Sequence, residues 1–414
     1  MSESPERLLH YVSLDGAGGV EFQFVDFVTR AKALRGCRTE IVACGQRIHP
    51  LVRARLEATT PLQREKYAGG LKLPKWPPQL RAARQRRLVR QSRAEAVLIW
   101  NRLRDSEDTL AAAGPKRCVY WERGAAWFAG ESASKRRFLD GVQAVLCNSH
   151  AARRMLELRW DYQGQICVVP NALRTALVPA GFKPRGGVAA APVWRIGVAA
   201  RLEAIKGVAI VLHSIAMLQR AGSRVELRVA GDGPERATLQ ALARDLGIER
   251  QVYFLGLVSD MAAFYAGIDV LAHPALREPF GQIVIEASAH GVPSIVAGVD
   301  GLVEVVDHGQ SGDVVTPVEY LSRYAELGSD GRGLPPFVYD PLRDKITAPR
   351  VVAPDALADA IRALLSDDAR YAAYSQAGIE RVAAEFDFDT HVERVLKATG
   401  RFIQGESLTW KDVQ

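Results

Sequence analysis

The chain has 414 residues, a hydrophobic content of 48% and a formal net charge of +7. This length is too great for one ordinary hydrophobic core and suits two α/β domains, while the hydrophobic content argues against a disordered chain. The five cysteines are scattered and no pair has the C-x-x-C spacing of a metal site, so we expect reduced, mostly buried thiols.

The first residues give no sign of a leader or of a membrane span. Met1–Glu6 is polar, and the first apolar stretch, Leu8–Leu14, is interrupted by polar residues in the manner of a strand. No apolar run approaches the roughly 18 residues that cross a bilayer. We therefore expect a cytoplasmic protein. Peripheral contact with the inner face of the cytoplasmic membrane is an alternative that the sequence leaves open.

Basic residues far outnumber acidic ones between Arg53 and Arg104. The densest part of this stretch comprises Arg81, Arg84, Arg86, Arg87, Arg90 and Arg93. Such a patch attracts the phosphates of lipid headgroups, lipid-linked sugars or nucleic acids, and a solvated helix face is the alternative interpretation. Because no aromatic platform or binding motif accompanies the charge, we expect no nucleic-acid partner.

Short apolar runs alternate with helical stretches in the first half of the chain. The predicted elements are strand Leu8–Leu14, helix Phe22–Arg35 and strands Thr39–Ala43, Ala96–Trp100, Arg117–Trp121, Ala144–Cys147 and Ile166–Val169. Strands separated by helices indicate a parallel sheet with helices on both faces. We assign residues 1–185 to this first, Rossmann-like domain.

A stretch rich in Gly and Pro, residues 181–192, predicts a linker. Beyond it the alternation restarts, with strands predicted at Trp194–Ala199, Val225–Ala230, Val252–Leu255, Val270–His273 and Ser294–Ala297 and helices at Val208–Ala221, Glu235–Leu246, Met261–Ala266 and Ile283–His290. This pattern predicts a second doubly wound domain over residues 193–385.

The alternation lapses at about residues 320–350, where Gly and Pro collect again. We interpret this stretch as an irregular insertion of the second domain, of the kind that is usually functional or mobile. Helices are predicted next at Pro354–Ser366 and Asp368–Glu385. The last segment, residues 386–414, contains the amphipathic stretch His391–Phe402, a helix that can cross back to the first domain.

Two cations follow the first strand of the second domain. Arg201 and Lys206 stand in the loop after Ala199, in RIGVAARLEAIKGV. In parallel sheets the ligand crevice lies beyond the carboxyl ends of the strands. Two cations there can hold a diphosphate and offset the charge that develops as it leaves. Surface charge is the simpler explanation of this pair taken alone.

The next strand, Val225–Ala230, runs directly into Gly231-Asp232-Gly233-Pro234. A plain tight turn explains this sequence in isolation. The same loop also places small residues and backbone N–H groups at the crevice, where a phosphate or a ribose can approach closely.

The most specific pattern is the pair of glutamates in EPFGQIVIE, Glu278 and Glu286, after strand Val270–His273. Phe280, Gly281, Gln282 and Ile283 would stand at the start of a helix, where free N–H groups point outward. One glutamate is placed to meet a donor sugar and the other to accept hydrogen bonds from ribose hydroxyls. Two incidental acids on a solvated helix are the alternative, which the two preceding loops make the weaker one.

These stretches resemble family 4 of the retaining glycosyltransferases, which have the GT-B architecture of two Rossmann-like domains facing a cleft. The matching segments of the second half are ARLEAIKG (200–207), VAGDGP (229–234), VYFLGLVS (252–259), GIDVLAHP (267–274), EPFGQIVIEASAHGVPSI (278–295) and GQSGDVV (309–315). In the first half the match is thinner: DGAGGVE (15–21), LCNSHAARR (146–154) and VVPNALR (168–174).

The resemblance implies a role for each matching residue. Arg201 and Lys206 would bind the donor diphosphate, Glu278 the donor sugar and Glu286 the ribose. The backbone at Phe280–Ile283 would meet sugar hydroxyls or phosphate, and that at Leu257 would meet the base. Gly18 and Gly19 of the first domain would approach the donor phosphate and the acceptor.

Two positions of the first domain depart from known patterns. Where the family often has His or Asp after a strand, this chain has Glu122 in YWERGAAW, so Glu122 is the candidate for the acceptor-side catalytic group, with a structural ion pair as the alternative. A dinucleotide fingerprint G-x-G-x-x-G would need glycine where Glu21 stands, so we do not expect a nicotinamide enzyme.

The resemblance implies transfer of a hexose from a GDP- or UDP-linked sugar, with retention and without a metal or other cofactor. We expect front-side attack, in which positioning and electrostatics supply the catalysis; double displacement through a carboxylate is the minor alternative. The expected acceptor is a glycan or lipid-linked acceptor of lipopolysaccharide, O-antigen, capsule or exopolysaccharide synthesis. A nucleotide-sugar epimerase of the same architecture and a non-catalytic sugar-nucleotide binding protein are the other functions considered.

Overall fold

The chain forms two compact units. The computed structural model describes residues 4–16, 18–45, 47–56, 62–103, 106–128, 130 and 133–407. The first unit combines Met1–Arg174 with Phe388–Gln414, and the second is the continuous segment Thr175–Asp387. Of the predicted basic stretch, Arg104 lies outside the described residues.

The first unit is built on a seven-stranded parallel sheet with the strand order β3-β2-β1-β6-β7-β8-β9. Its elements are β1 Arg7–Val12, α1 Gly19–Arg35, β2 Arg38–Ala43, α2 Pro50–Leu56, β3 Leu62–Arg64, β4 Tyr67–Ala68, β5 Leu71–Lys72, α3 Gln79–Ser92, β6 Ala96–Trp100, α4 Glu107–Ala113, β7 Cys118–Glu122, α5 Ala133–Gly141, β8 Ala144–Cys147, α6 His150–Trp160 and β9 Gln165–Val168. Strands β4 and β5 form a separate small antiparallel hairpin.

The second unit has a six-stranded parallel sheet with the order β12-β11-β10-β13-β14-β15. Its elements are β10 Trp194–Ala199, α7 Val208–Arg220, β11 Val225–Ala230, α8 Arg236–Asp245, β12 Val252–Gly256, α9 Met261–Ala266, β13 Val270–His273, α10 Gln282–Ala289, β14 Ser294–Ala297, β15 Gly312–Val315, α11 Leu321–Glu326, β16 Val338–Asp340, β17 Lys345–Thr347, α12 Pro354–Leu365 and α13 Asp368–Glu385. The predicted α/β class, with two Rossmann-like parallel sheets, is confirmed.

The last helix, α14 (Phe388–Ile403), is part of the first unit. Its apolar face, including Val392, Val395 and Leu396, joins the core cluster that contains residues of β1 and α1. Arg30 of α1 forms a bidentate pair with Asp389 at the edge of this contact. Burial of the apolar face, at about 25 cal/mol per Å², outweighs this half-exposed ion pair, which contributes little.

The boundary between the units differs from the sequence division. Residues 175–185, assigned from the sequence to the first domain, are part of the second unit. Arg185 explains the difference, because its guanidinium donates to the carbonyl oxygens of Ile268 (2.6 Å), Tyr265 (2.7 Å) and His290 (3.1 Å). Three charge-assisted hydrogen bonds fasten the linker to the second unit.

The stretch at 320–350 has more regular structure than the sequence indicates. It contains helix α11 and the antiparallel hairpin of β16 and β17. Tyr339 in the hairpin donates its backbone N–H to Asp300 Oδ1 at 2.7 Å, so the hairpin is joined to the loop after β14. Its strands are too short for periodicity to reveal them.

All five cysteines are buried free thiols, as predicted. Burial raises the pKa of the Cys37, Cys44 and Cys118 thiols to about 12, which disfavours the reactive thiolate. In the described part of the chain no helix combines the length and apolar character needed to cross a membrane.

Two buried histidines should make the first unit sensitive to acid. Burial lowers the pKa of His10 to about 3, and burial together with the nearby Arg123 charge lowers that of His391 to about 3. The unfolded chain takes up protons on these imidazoles below about pH 6.5, whereas the folded unit does not. Above that pH these histidines do not reduce the free energy of unfolding. Between pH 7 and pH 5 we expect this free energy to fall by about 1–2 kcal/mol per histidine.

Urea unfolding at the two pH values, followed by tryptophan fluorescence, measures this loss. Trp100, Trp121 and Trp127 are buried in the first unit and report its unfolding. The variant His10→Leu should show a smaller decrease than the wild type. Equal decreases in the two proteins would show that His10 does not contribute.

Candidate functional site

Most of the donor-site residues predicted in the second unit lie in loops at one edge of its sheet. Strands β10, β11, β12 and β13 are parallel neighbours, so their carboxyl ends share this edge. The loop after β10 carries Arg201 and Lys206, and that after β11 carries Gly231 and Gly233. Leu257 follows β12, and Glu278 lies between β13 and α10.

Lys206 and Glu278 are in direct contact. Lys206 ends a 3-10 turn, Ala204–Lys206, and its Nζ donates to Glu278 Oε2 at 2.7 Å. The side chains are 19% and 15% exposed, so solvent reaches the pair only in part. A backbone hydrogen bond of 2.9 Å from Leu276 N to Ile205 O fixes the two loops relative to each other. One cation and one acid from separate motifs are thus brought together.

His273 is a third member of this cluster, and the sequence analysis missed it. It ends β13, and its Nε2 lies 3.2 Å from Glu278 Oε2, the same oxygen that Lys206 contacts. The imidazole is 1% exposed, and its Nδ1 has no hydrogen-bond partner within the described residues. A histidine at the carboxyl end of a strand, five residues before Glu278, was the available signal.

The cluster keeps Glu278 ionised. Burial raises the pKa of this carboxyl, but the Lys206 charge and the His273 hydrogen bond outweigh burial and hold the pKa well below its usual range. Burial lowers the pKa of His273, and its contact with Glu278 opposes that effect only in part. At neutral pH the cluster is therefore a Lys⁺–Glu⁻ pair with a neutral imidazole that donates to the carboxylate.

Asp300 positions the backbone of Glu278 and was also missed. Its Oδ2 accepts from Glu278 N at 3.0 Å and its Oδ1 from Tyr339 N at 2.7 Å. Asp300 is fully buried and has a φ of 48°, a left-handed conformation that Asp tolerates better than most residues. Nothing in its local sequence marked it, because the contact joins two loops distant in the chain.

We expect Asp300→Ala to destabilise the second unit by about 2–3 kcal/mol, because the buried N–H of Tyr339 and the part-buried N–H of Glu278 would lose a charged acceptor. The loss should appear in thermal unfolding, together with weaker donor binding because the Glu278 loop is no longer fixed. Asp340→Ala is the matched control, since Asp340 follows Tyr339 in the β16–β17 hairpin but accepts exposed hydrogen bonds, from Leu342 and Arg343. Equal destabilisation by the two changes would contradict the role assigned to Asp300.

Helix α10 starts at the predicted loop. Gly281 precedes it with a φ of 109°, a conformation that disfavours any side chain, and Gln282 and Ile283 form its first positions. The Phe280 side chain is buried against Phe386, with 5.8 Å between the ring centroids. The Phe280 side chain therefore belongs to the core, and the ligand contact predicted for its backbone stays a prediction.

Glu286 lies farther along α10, as the fifth residue of that helix. It is 6% exposed, and its Oε2 accepts from the Tyr265 hydroxyl at 3.0 Å. Tyr265 also lies 3.4 Å from the carbonyl oxygen of Ile283. The tyrosine thus holds the carboxylate in place, and it is a supporting residue that the sequence analysis did not identify.

Arg201 points toward solvent. Its side chain is 71% exposed and its Nε lies 3.0 Å from Glu203 Oε1. Leu257 is also largely exposed, at 86%. An exposed ion pair such as that of Arg201 with Glu203 is weak, so Arg201 can exchange Glu203 for an anionic ligand at a small cost in free energy.

Gly231 and Gly233 allow the loops to pack closely. A Cβ on Gly231 would lie 1.8 Å from Ala200 O, and one on Gly233 would lie 2.5 Å from Leu202 O. Leu202 N also donates to Asp232 O at 3.0 Å. The GDGP sequence therefore holds the Arg201 loop against the end of β11, in addition to forming a turn.

Three of the predicted residues, Gly18, Gly19 and Glu122, belong to the first unit. Gly18 precedes α1 and donates its N–H to Glu21 Oε2 at 3.0 Å, and Gly19 begins the helix. Glu122 is fully buried: its Oε2 accepts from the Tyr120 hydroxyl at 2.6 Å, and its Oε1 accepts from the backbone N–H groups of Gly124 and Ala126. These contacts stabilise the turn after β7, which favours the structural interpretation of Glu122.

Part of the second unit matches a known protein family. Residues 190–326 match the family described as Glycosyl transferases group 1. This segment resembles a group 1 glycosyltransferase domain. It includes Arg201, Lys206, both glutamates of the EPFGQIVIE motif and the partners His273 and Asp300.

Two curated relatives each match just under half of the chain. The D-inositol 3-phosphate glycosyltransferase of Corynebacterium kroppenstedtii is 36% identical over 217 residues, which are 47% of this chain and 48% of the relative. The lipopolysaccharide core biosynthesis glycosyltransferase LpsE of Rhizobium meliloti is 29% identical over 188 residues, 45% and 53% of the two chains. The chain thus spans about half the length of the curated relatives it matches.

A solved structure extends the likeness beyond the group 1 domain. The Anabaena protein HepE, in complex with UDP and glucose, is 19% identical with a TM-score of 0.69, over 94% of this chain and 98% of HepE. Likeness at this identity establishes the fold. The predicted GT-B fold is confirmed.

Proposed function

We propose that the protein is a retaining glycosyltransferase of family 4. It transfers a hexose from a GDP- or UDP-linked sugar to a glycan or lipid-linked acceptor, in the synthesis of lipopolysaccharide or another surface polysaccharide. The observation that carries the proposal is the contact of Lys206 with Glu278 in a group 1 glycosyltransferase domain. The relative LpsE, named for lipopolysaccharide core biosynthesis, supports the proposed product class.

The Lys206–Glu278 pair suits a site that binds both an anion and a polyol. Lys206 supplies a positive charge to the leaving diphosphate, and Glu278, kept ionised by Lys206 and His273, accepts hydrogen bonds from sugar hydroxyls. Arg201 reaches the diphosphate from its exposed position, and Glu286 accepts from the ribose. The backbone at Gly281–Ile283 and Leu257 binds sugar and base, with Gly231 and Gly233 shaping the loop beside them.

The reaction proceeds by front-side attack. The acceptor hydroxyl oxygen forms a bond to the anomeric carbon while the bond from that carbon to the diphosphate oxygen breaks. The acceptor proton passes to a diphosphate oxygen, so the protein supplies no proton. Lys206 and Arg201 stabilise the charge that develops on the leaving group, and we propose that no metal is required for this.

The acceptor binds to the first unit, with Gly18 and Gly19 at the loop before α1. Because both oxygens of buried Glu122 accept hydrogen bonds, one from Tyr120 of its own strand and the other from the backbone of the following turn, we assign it a structural role. Glu122 is therefore not the acceptor-side catalytic group in this proposal, and the acceptor proton passes directly to the leaving diphosphate.

To test this, the purified protein is incubated with GDP- and UDP-hexoses, with and without EDTA. The measured quantities are the thermal shift of the protein and the release of nucleotide diphosphate. We expect one donor to stabilise the protein and to be hydrolysed slowly, with no effect of EDTA, and the transferred sugar to keep its anomeric configuration. Conversion of the donor to an epimer without acceptor would identify an epimerase instead. Donor binding with neither hydrolysis nor transfer would identify a non-catalytic binding protein.

A further inference from the structure

A polar cavity of about 630 Å³ lies within the first unit. It is bounded by the β4–β5 hairpin, by α3 and by the first turns of α4 and α5. This volume accommodates a small ligand of sugar size. None of the residues so far assigned to donor binding lines it.

The cavity carries an excess of positive charge. Two of its three acids are neutralised within its wall: Glu65 holds Arg102 in a bidentate pair at 2.8 and 3.1 Å, and Glu107 holds Arg137 at 3.1 and 3.3 Å. The cations that remain, none with a carboxylate partner within the described residues, are Lys66, Lys72, Lys75 and Arg81, and they face one further acid, Asp108. Such an imbalance in a concave surface favours an anionic ligand.

The floor of the cavity is a fixed network of buried polar groups. Glu65 and Gln85 are 5% and 4% exposed. Gln85 Nε2 donates to Glu65 Oε1 at 3.2 Å, and the Tyr11 hydroxyl donates to Gln85 Oε1 at 2.7 Å. Because each member is held by another, the floor keeps its shape without a ligand.

Arg81 is the best-placed donor of the wall. It lies on α3, and its Nη2 donates to the carbonyl oxygen of Leu73 at 3.1 Å. Its Nε is buried and has no hydrogen-bond partner within the described residues. A buried guanidinium N–H without an acceptor is costly, and the Arg81 charge at the cavity wall favours a phosphate there.

We propose that this cavity binds the phosphate of a phosphorylated acceptor, a phosphate ester of a sugar or polyol. The inference rests on the proposed function and adds the chemical class of the acceptor. The phosphate contacts Arg81 and Lys66, and the Tyr67 ring offers a face for the attached sugar or polyol. The phosphate belongs to a soluble sugar phosphate or to a lipid headgroup, and exposed Leu71 and Trp76, 77% and 80% accessible, lie beside Lys72 and Lys75 at the rim.

The first experiment measures binding of glucose 6-phosphate by calorimetry, with glucose as the neutral counterpart. We expect the phosphate ester alone to bind and the double change Lys66→Gln with Arg81→Gln to weaken binding by about 100-fold, about 10-fold for each charge-assisted contact. The matched control is Arg86→Gln with Arg90→Gln, which removes the same charge from exposed positions of α3 outside the cavity. Equal weakening by the two double variants would overturn the proposal.

A second pair of changes guards against misfolding. Lys72→Gln with Lys75→Gln removes two exposed rim lysines and leaves the packed wall intact. It should weaken the binding of glucose 6-phosphate more than the Arg86→Gln, Arg90→Gln control. An effect no larger than that of the control would count against the cavity.

The second experiment separates the two sources of phosphate. Vesicles of phosphatidylcholine with phosphatidic acid are compared with phosphatidylcholine alone in co-sedimentation. Binding to phosphatidic acid that is lost in the Lys66→Gln, Arg81→Gln variant assigns a lipid headgroup, whereas binding of glucose 6-phosphate alone assigns a soluble acceptor. Binding of neither overturns the proposal.

Donor binding is measured on the same variants, so that failure of the proposed function can be distinguished from failure of the proposed anion site. The Lys66→Gln, Arg81→Gln variant should keep the donor-induced thermal shift of the wild type. If no nucleotide sugar binds while the phosphate ester still does, the proposed function fails and the anion site stands. If donor binding is normal and no phosphate ester or phosphatidic acid binds, the anion site fails alone.

Discussion

Replacing Lys206 with alanine should reduce sugar transfer by about 10²–10³-fold, the usual effect of removing one preorganised group that stabilises transition-state charge. Lys206 Nζ lies 2.7 Å from Glu278 Oε2, so the change also leaves the carboxylate with His273 as its remaining partner in the cluster. The loss should fall mainly on kcat, because charge on the leaving diphosphate is greatest in the transition state. Steady-state kinetics with saturating donor measures it.

Three further variants show whether the loss is specific. Lys345→Ala removes an exposed lysine from the β16–β17 hairpin and should leave turnover unchanged. Lys206→Arg keeps the charge and should recover part of the activity, and Arg201→Ala should be impaired as well. Wild-type turnover in a folded Lys206→Ala protein would rule out the proposed diphosphate site.

Replacing Gly231 with alanine should destabilise the second unit by about 3–5 kcal/mol, the range of severe single substitutions. The added Cβ would lie 1.8 Å from Ala200 O, and Gly231 has a φ of 132°. The surrounding backbone has little freedom to move, because Gly231 N donates to Gly256 O at 2.7 Å and Ala200 N donates to Ala230 O at 3.0 Å. Relief of the clash therefore requires the breaking of hydrogen bonds that join three neighbouring strands.

Thermal unfolding followed by circular dichroism measures this loss, with Gly222→Ala as the control. Gly222 also has a positive φ, 88°, but no atom lies within 4 Å of a Cβ built there. That change should cost about 1 kcal/mol, from backbone conformation alone. If the two variants unfolded at the same temperature, close packing of the loops would not explain the glycine at position 231.

The strands and helices of both sheets were predictable where periodicity was strong. Strands Ala96–Trp100 and Val225–Ala230 and helix Asp368–Glu385 have the predicted bounds. The elements missed are short or polar, such as the β4–β5 hairpin, because two residues per strand give no pattern to recognise. The sequence could only suggest that α14 crosses back to the first domain, since an amphipathic face does not reveal which core covers it.

The candidate site was predictable in its motifs and not in its supporting contacts. Loops after successive parallel strands share one edge, so Arg201, Lys206 and Glu278 follow from strand order and local sequence. Asp300 and Tyr265 support the two glutamates from distant points in the chain. Their roles depend on how the loops and helices pack, which spacing alone does not encode.

The first unit is assembled from two ends of the polypeptide. Residues Phe388, Val392, Val395, Leu396, Ala398 and Phe402 of α14 complete its core, whereas the second unit is one uninterrupted segment. During synthesis the ribosome therefore releases all of the second unit before it delivers α14, and we expect the part made first to finish folding last. Until then, the apolar surface that α14 will cover stays open to water and to chaperones.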